Sequence, residues 1–78
     1  MKVDELDARV MVAAEALRAA RKAGALVLRV WDGHIWHLRI WNGAAIPLGV
    51  RRQLLNLTPY VFILLAELPK RKGCRYPI

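Results

Sequence analysis

Val3, Leu6, Val10, Ala13, Leu17 and Ala20 recur at 3-4-3-4-3 spacing, which lines one face of an α-helix. Asp4 is placed to cap this segment, Glu5 and Asp7 follow in its first turn, and Arg18, Arg21 and Lys22 crowd its last. Charge therefore complements the helix dipole at both ends. Gly24 is the expected stop, because the residue after a helix commonly takes a left-handed conformation. The apolar repeat lasts under three heptads and is diluted by alanine, so the helix is expected to pack on a sheet rather than on a coiled-coil partner.

The period then changes. Residues 25–31 and 34–41 flank Asp32-Gly33, a dipeptide suited to a two-residue type I′ turn, and this predicts a β-hairpin. Such a turn pairs Trp31 with His34, Val30 with Ile35, Arg29 with Trp36 and Val27 with Leu38. Asn42-Gly43 offers a second turn into a short third strand at Ala44-Ala45-Ile46, which Pro47 ends. Alternation sorts the side chains onto two faces. Val27, Arg29, Trp31, His34, Trp36, Leu38 and Ile40 share one, while Leu26, Leu28, Val30, Ile35, His37, Arg39 and Trp41 share the other. The second face has the longer run of aliphatics and is expected to meet the helix. That leaves Arg29, Trp31, His34 and Trp36 in the open.

Beyond Pro47, residues 50–57 read as a short helix with Arg51 and Arg52 on its exposed side. Thr58-Pro59 resembles an N-cap followed by proline at the first helical position, and residues 60–68 are apolar nearly all round, as in a buried helix; their Tyr-Val-Phe-Ile run would also suit a strand, and the cap favours the helix. Leu57-Thr58-Pro59 with Phe62, Leu64-Leu65-Ala66, Leu68 and Gly73 resembles the opening helix of OmpR-type winged-helix regulators over about a quarter of the chain. The resemblance implies a helix at residues 58–68, and no DNA-reading residue carries over. The predicted fold is α+β: an N-terminal helix, a Trp-rich antiparallel hairpin or meander, one or two C-terminal helices in one small domain (residues 1–69), and a basic tail of low structural propensity (residues 70–78).

Composition narrows the function. A chain of 78 residues buries only about 60% of its surface on folding, yet 56% of these residues are apolar, so some apolar surface is expected to need a partner. Thirteen Lys and Arg against six Asp and Glu make a net charge of +7. One cysteine, Cys74, excludes an intramolecular disulfide, and the acidic start Asp4-Glu5 does not fit a secretory signal, so a cytoplasmic location is expected. The longest uncharged stretch, residues 53–66, is too short to cross a bilayer, which takes about 20 residues. Serine is absent and Asn, Gln, Cys and Met are scarce, as in thermophile proteins, although nine Arg against four Lys follows equally from GC-rich coding.

Catalysis finds little to work with. Thr58 is assigned to a cap, and Cys74 has no base or orienting group near it in sequence. His34 and His37 fall on opposite faces of a strand and do not chelate together, so no metal or other cofactor is expected. The six acids are spread over the helices and a turn, and the five glycines fall at turns and helix ends rather than in a phosphate loop. The expected function is non-enzymatic binding of nucleic acid, RNA ahead of DNA, as in a ribonucleoprotein component or a chromatin-type factor. Arg29, Trp31, His34 and Trp36 would stack bases, and Arg51, Arg52, Lys70, Arg71, Lys72 and Arg75 would meet phosphates. The alternative is a protein-interaction module (a homodimer, a small subunit of a larger assembly, or an inhibitor of the kind mobile elements encode) anchored by Trp31 and Trp36.

Overall fold

A computed structural model of the chain describes residues 3–41 and 46–78. Its elements run α1 (Val3–Lys22), β1 (Leu26–Trp31), β2 (Trp36–Trp41), α2 (Leu48–Asn56), α3 (Thr58–Ile63) and β3 (Arg75–Pro77). The layout is α+β, with a helical layer on one face of an antiparallel sheet ordered β2-β1-β3.

The first helix follows its pattern. Asp4 and Glu5 occupy its first turn, Arg21 and Lys22 its last, and Ala13, Ala16, Leu17 and Ala20 are buried. Three alanines on that stripe let the backbone approach its neighbours closely, while Val3, at the start of the expected stripe, and Met11, off it, lie exposed. At the end, Ala25 N–H donates to Ala20 C=O at 3.1 Å and Gly24 N–H to Arg21 C=O at 3.0 Å, with Gly24 at φ +86°. This is a Schellman cap, and its left-handed residue is the glycine expected there.

The hairpin forms where expected but two residues out of register. Trp31 pairs with Trp36, Val30 with His37, Arg29 with Leu38 and Val27 with Ile40, so Asp32 to Ile35 make the connection. Asp32 is the cause. Its Oδ1 accepts from the N–H groups of His34 (2.7 Å) and Ile35 (2.8 Å), its own N–H donates to Ile35 C=O, and Gly33 takes φ +105°. An Asp bound to its own turn belongs before the central pair of residues rather than inside it. A slip of two preserves both faces, since side-chain direction repeats every second residue.

The covered face is the opposite of the expected one. Val27, Leu38 and Ile40 join Ala13, Ala16, Leu17, Ala20, Leu54 and Val61 in the core, whereas Leu26, Ile35 and Trp41 stay exposed. Covering the other face would bury Arg39 and Arg75 together, and the covered face asks this of Arg29 alone.

The C-terminal half departs further. Thr58 does not cap α3; its hydroxyl donates to Leu55 C=O at 2.7 Å, serving a carbonyl left open at the end of α2. α3 stops at Ile63 instead of continuing to residue 68, and residues 66–71 run without helix or strand. The segment expected to be a tail then turns at Gly73 (φ +81°) and returns as β3 beside β1, with Arg29 opposite Tyr76. Gly73 N–H donates to Trp31 C=O and Ile78 N–H to Val27 C=O. The third strand expected at Ala44-Ala45-Ile46 lies, but for Ile46, outside the described residues; Ile46 itself is buried in the core.

Candidate nucleic-acid interface

The expected stacking platform is not one open surface. Arg29 is 6% exposed, its Nη2 donates to Ala66 C=O at 2.5 Å, and its guanidinium lies 4.8 Å from the centre of the Trp36 ring. Trp36 meets Trp31 edge-to-face at 5.3 Å and Tyr76 at 6.0 Å. Lys70 Nζ sits 5.2 Å from the Trp31 ring centre, and Tyr76 OH donates to Pro69 C=O at 3.0 Å. This cluster clamps residues 66–73 across the hairpin-turn end of the sheet. Trp31 and Trp36 are half-buried in it, and neither offers a free ring face beside a free arginine. His34 is exposed in the turn, apart from that cluster.

The other expected contacts remain available. Arg51 and Arg52 are exposed on α2, and Lys70, Arg71 and Lys72 are exposed in the loop before β3. The Lys72 stem reaches Gly33, 3.8 Å from where a Cβ would stand, so this loop lies against the hairpin turn. Arg75 is exposed on β3, next to Val30 on the uncovered face of the sheet.

That uncovered face is the surface that reading the chain alone assigned to the helix. Cross-strand register sets Trp41 beside Leu26, then Arg39–Leu28–Pro77, then His37–Val30–Arg75. Trp41 is 52% exposed, Arg39 and Arg75 are exposed, and Leu28 at the centre is buried among its neighbours. Leu28, Val30, Arg39, Ile40, Trp41 and Arg75 line a shallow depression of about 430 Å³. The strands themselves carry no carboxylate. Asp32, in the turn, accepts a hydrogen bond or ion pair from His37 Nε2. The Ile35 N–H, the His37 ring and the His34 N–H together hold the Asp32 carboxyl well below the usual carboxylate range. Arg39 and Trp41 are absent from the candidate site read along the chain, yet both lie exposed on this face. Their signal was present in the alternation, which grouped three polar-edged side chains, His37, Arg39 and Trp41, on one face.

No protein-family model matches the chain, and no curated protein or solved structure matches it either. The chemistry of its surfaces is therefore the guide to function. Among the described residues no three His, Cys, Asp or Glu side chains come together as metal ligands. Cys74 is a free, half-buried thiol. No helix among the described residues is long and apolar enough to cross a membrane.

Proposed function

We propose that this protein is a non-enzymatic nucleic-acid-binding protein of the cytoplasm that takes single strands on the open face of its sheet, RNA ahead of DNA. The observation that carries the proposal is the half-exposed Trp41 ring beside Arg39, with Arg75 across the same face and no carboxylate in the strands. A flat ring on a sheet accepts the face of any base, and flanking arginines meet the phosphates that follow it. RNA comes first because its unpaired bases are the usual targets of such surfaces. Lys70, Arg71 and Lys72 beside the turn, with Arg51 and Arg52 on α2, extend the basic area, in keeping with a net charge of +7. A ribonucleoprotein component or a chromatin-type factor fits this chemistry.

The exposed Leu26, Ile35 and Trp41 favour a second reading, in which the same face is a protein-docking surface. One titration separates the two. Single-stranded RNA and duplex DNA are added at low and high salt, following tryptophan fluorescence and anisotropy of labelled strands. The nucleic-acid reading expects quenching by single strands that fades with salt. It also expects Trp41→Ala to weaken binding by roughly 5- to 150-fold, the equivalent of one stacked base. Replacing Lys70, Arg71 and Lys72 with alanine should lower the salt slope by about 2. Absence of binding at low salt, or an unchanged affinity in Trp41→Ala, would reject the open face as a base platform.

A further inference from the structure

The two edges of the sheet are treated very differently. β3 closes one side with three residues and ends in Pro77, a short and proline-bearing edge of the kind that resists further pairing. β2 closes the other side with six residues, Trp-His-Leu-Arg-Ile-Trp, free of proline, glycine, lysine and acid. Among the described residues no strand pairs with its outer side.

The hydrogen-bond phase tells which of its backbone groups are free. The Asp32 N–H to Ile35 C=O bond makes these two a bonded pair. In an antiparallel ladder bonded pairs alternate with non-bonded ones. The register then makes Val30/His37, Leu28/Arg39 and Leu26/Trp41 the bonded pairs. The N–H and C=O groups of Trp36, Leu38 and Ile40 consequently point away from β1. The opposite side of β1 confirms the phase, because Trp31 and Val27 offer their carbonyls to Gly73 and Ile78 there. Next to this free edge lies an apolar groove of about 560 Å³, between β2 and α3, walled by Trp36, Leu38, Pro59 and Phe62.

We infer that this edge is a self-association site, where β2 of a second copy pairs antiparallel about a two-fold axis through Leu38 and makes one six-stranded sheet. Residues whose backbone groups face outward must oppose one another, so the pairing sum is even. Leu38 on Leu38 of the second copy is the register that spans most of the strand without setting Arg39 against itself. It places Trp36 opposite Ile40 of the second copy, at the mouth of the groove beside Pro59 and Phe62. It also places Arg39 opposite His37 of the second copy, and hence toward Asp32, which is bonded to that histidine. Charge is thus complementary across the axis in a protein that is otherwise strongly basic.

The surface area agrees. The chain exposes 5424 Å², against roughly 4,800 Å² for a monomer of its mass, an excess of roughly 600 Å². A slab 33 × 32 × 16 Å has that excess because only two layers cover its core, and joining two slabs edge to edge removes part of it. The inference is independent of nucleic acid, and its test contains none.

The test measures the mass of the full chain by sedimentation or light scattering at rising concentration, with amide hydrogen exchange on the same samples. The expected result is a species of twice 8.9 kDa, with the Trp36, Leu38 and Ile40 amides gaining protection as the dimer forms. Ile40→Pro removes one outward N–H and leaves the β1 ladder whole, so it should be a folded monomer. Ile40→Ala loses comparable packing but keeps the N–H, and should still dimerise, though more weakly. A chain that stays monomeric at every concentration overturns the inference. So does a dimer in which those three amides exchange freely, since it would use another surface. Protection of the same amides in a monomer overturns it too, because the edge would then be covered from within. Hydrogen exchange on the unaltered chain decides the matter if Ile40→Pro fails to fold.

Discussion

Arg29→Met would take a charge out of the fold while keeping an unbranched side chain of similar reach. In the native chain the guanidinium is 6% exposed, bonded to Ala66 C=O and seated over Trp36. A hydrogen bond from a charged donor contributes about 1.5–3 kcal/mol. The cation–π contact at a half-buried ring adds about 1 kcal/mol. Methionine needs no desolvation of a charge, which returns part of this, so a net loss of about 2 kcal/mol is expected. For a domain of this size that lowers Tm by about 8–16 °C. Thermal unfolding followed by circular dichroism reads the shift. Trypsin should also cut faster among Lys70, Arg71 and Lys72, because the residue that ties Ala66 to the sheet is gone. Affinity for nucleic acid, measured where the variant is folded, should match that of the parent. A Tm shift below about 3 °C, together with a marked loss of nucleic-acid affinity, would refute the reasoning and return Arg29 to the binding surface.

Two further perturbations test the core and the turn. Leu54, fully buried on α2, joins α1 and α3 in the core. Leu54→Ala should cost about 2–5 kcal/mol and, in a chain this small, leave a large unfolded fraction in urea titrations at room temperature. A loss below about 1 kcal/mol would mean that the helical layer packs elsewhere. Asp32 has its carboxyl pKa depressed in the folded state, so the stability it contributes is present above the ordinary carboxylate pKa and is lost as pH falls through the lower folded value. Asp32→Asn keeps an acceptor but not the charge. The parent should be more stable than this variant at neutral pH, and the difference should shrink only in strong acid. Parallel urea curves for both proteins at every pH would show that the charge contributes nothing.

Much of the fold was legible along the chain because it is written locally. The apolar stripe and end charges of α1 act within one helix, and Gly24 supplies the only backbone that its Schellman cap accepts without strain. Alternation over residues 26–41 is equally local, so the partition into two faces survived a register error of two residues. The candidate site was less legible, because exposure is not a local property. His34, Arg51, Arg52, Lys70, Arg71, Lys72 and Arg75 are exposed in the structure, whereas Arg29, Trp31 and Trp36 are drawn into the clamp over residues 66–73.

What the sequence determined by itself is therefore the set of elements, their periodicities and the excess of positive charge over a chain rich in apolar residues. What only the tertiary structure decided is which face of the hairpin is covered. Either face was wide enough to meet α1. The choice fell to a segment more than thirty residues further on, whose carbonyls at Ala66 and Pro69 satisfy Arg29 and Tyr76. A buried arginine is tolerable only where such acceptors arrive, and nothing in residues 26–41 announces them. The same return of the chain makes β3 and guards one edge of the sheet, so that among the described residues β2 is the edge without a partner strand. Long-range closure thus set both surfaces, the open face around Trp41 and the edge at Leu38 that no described strand pairs.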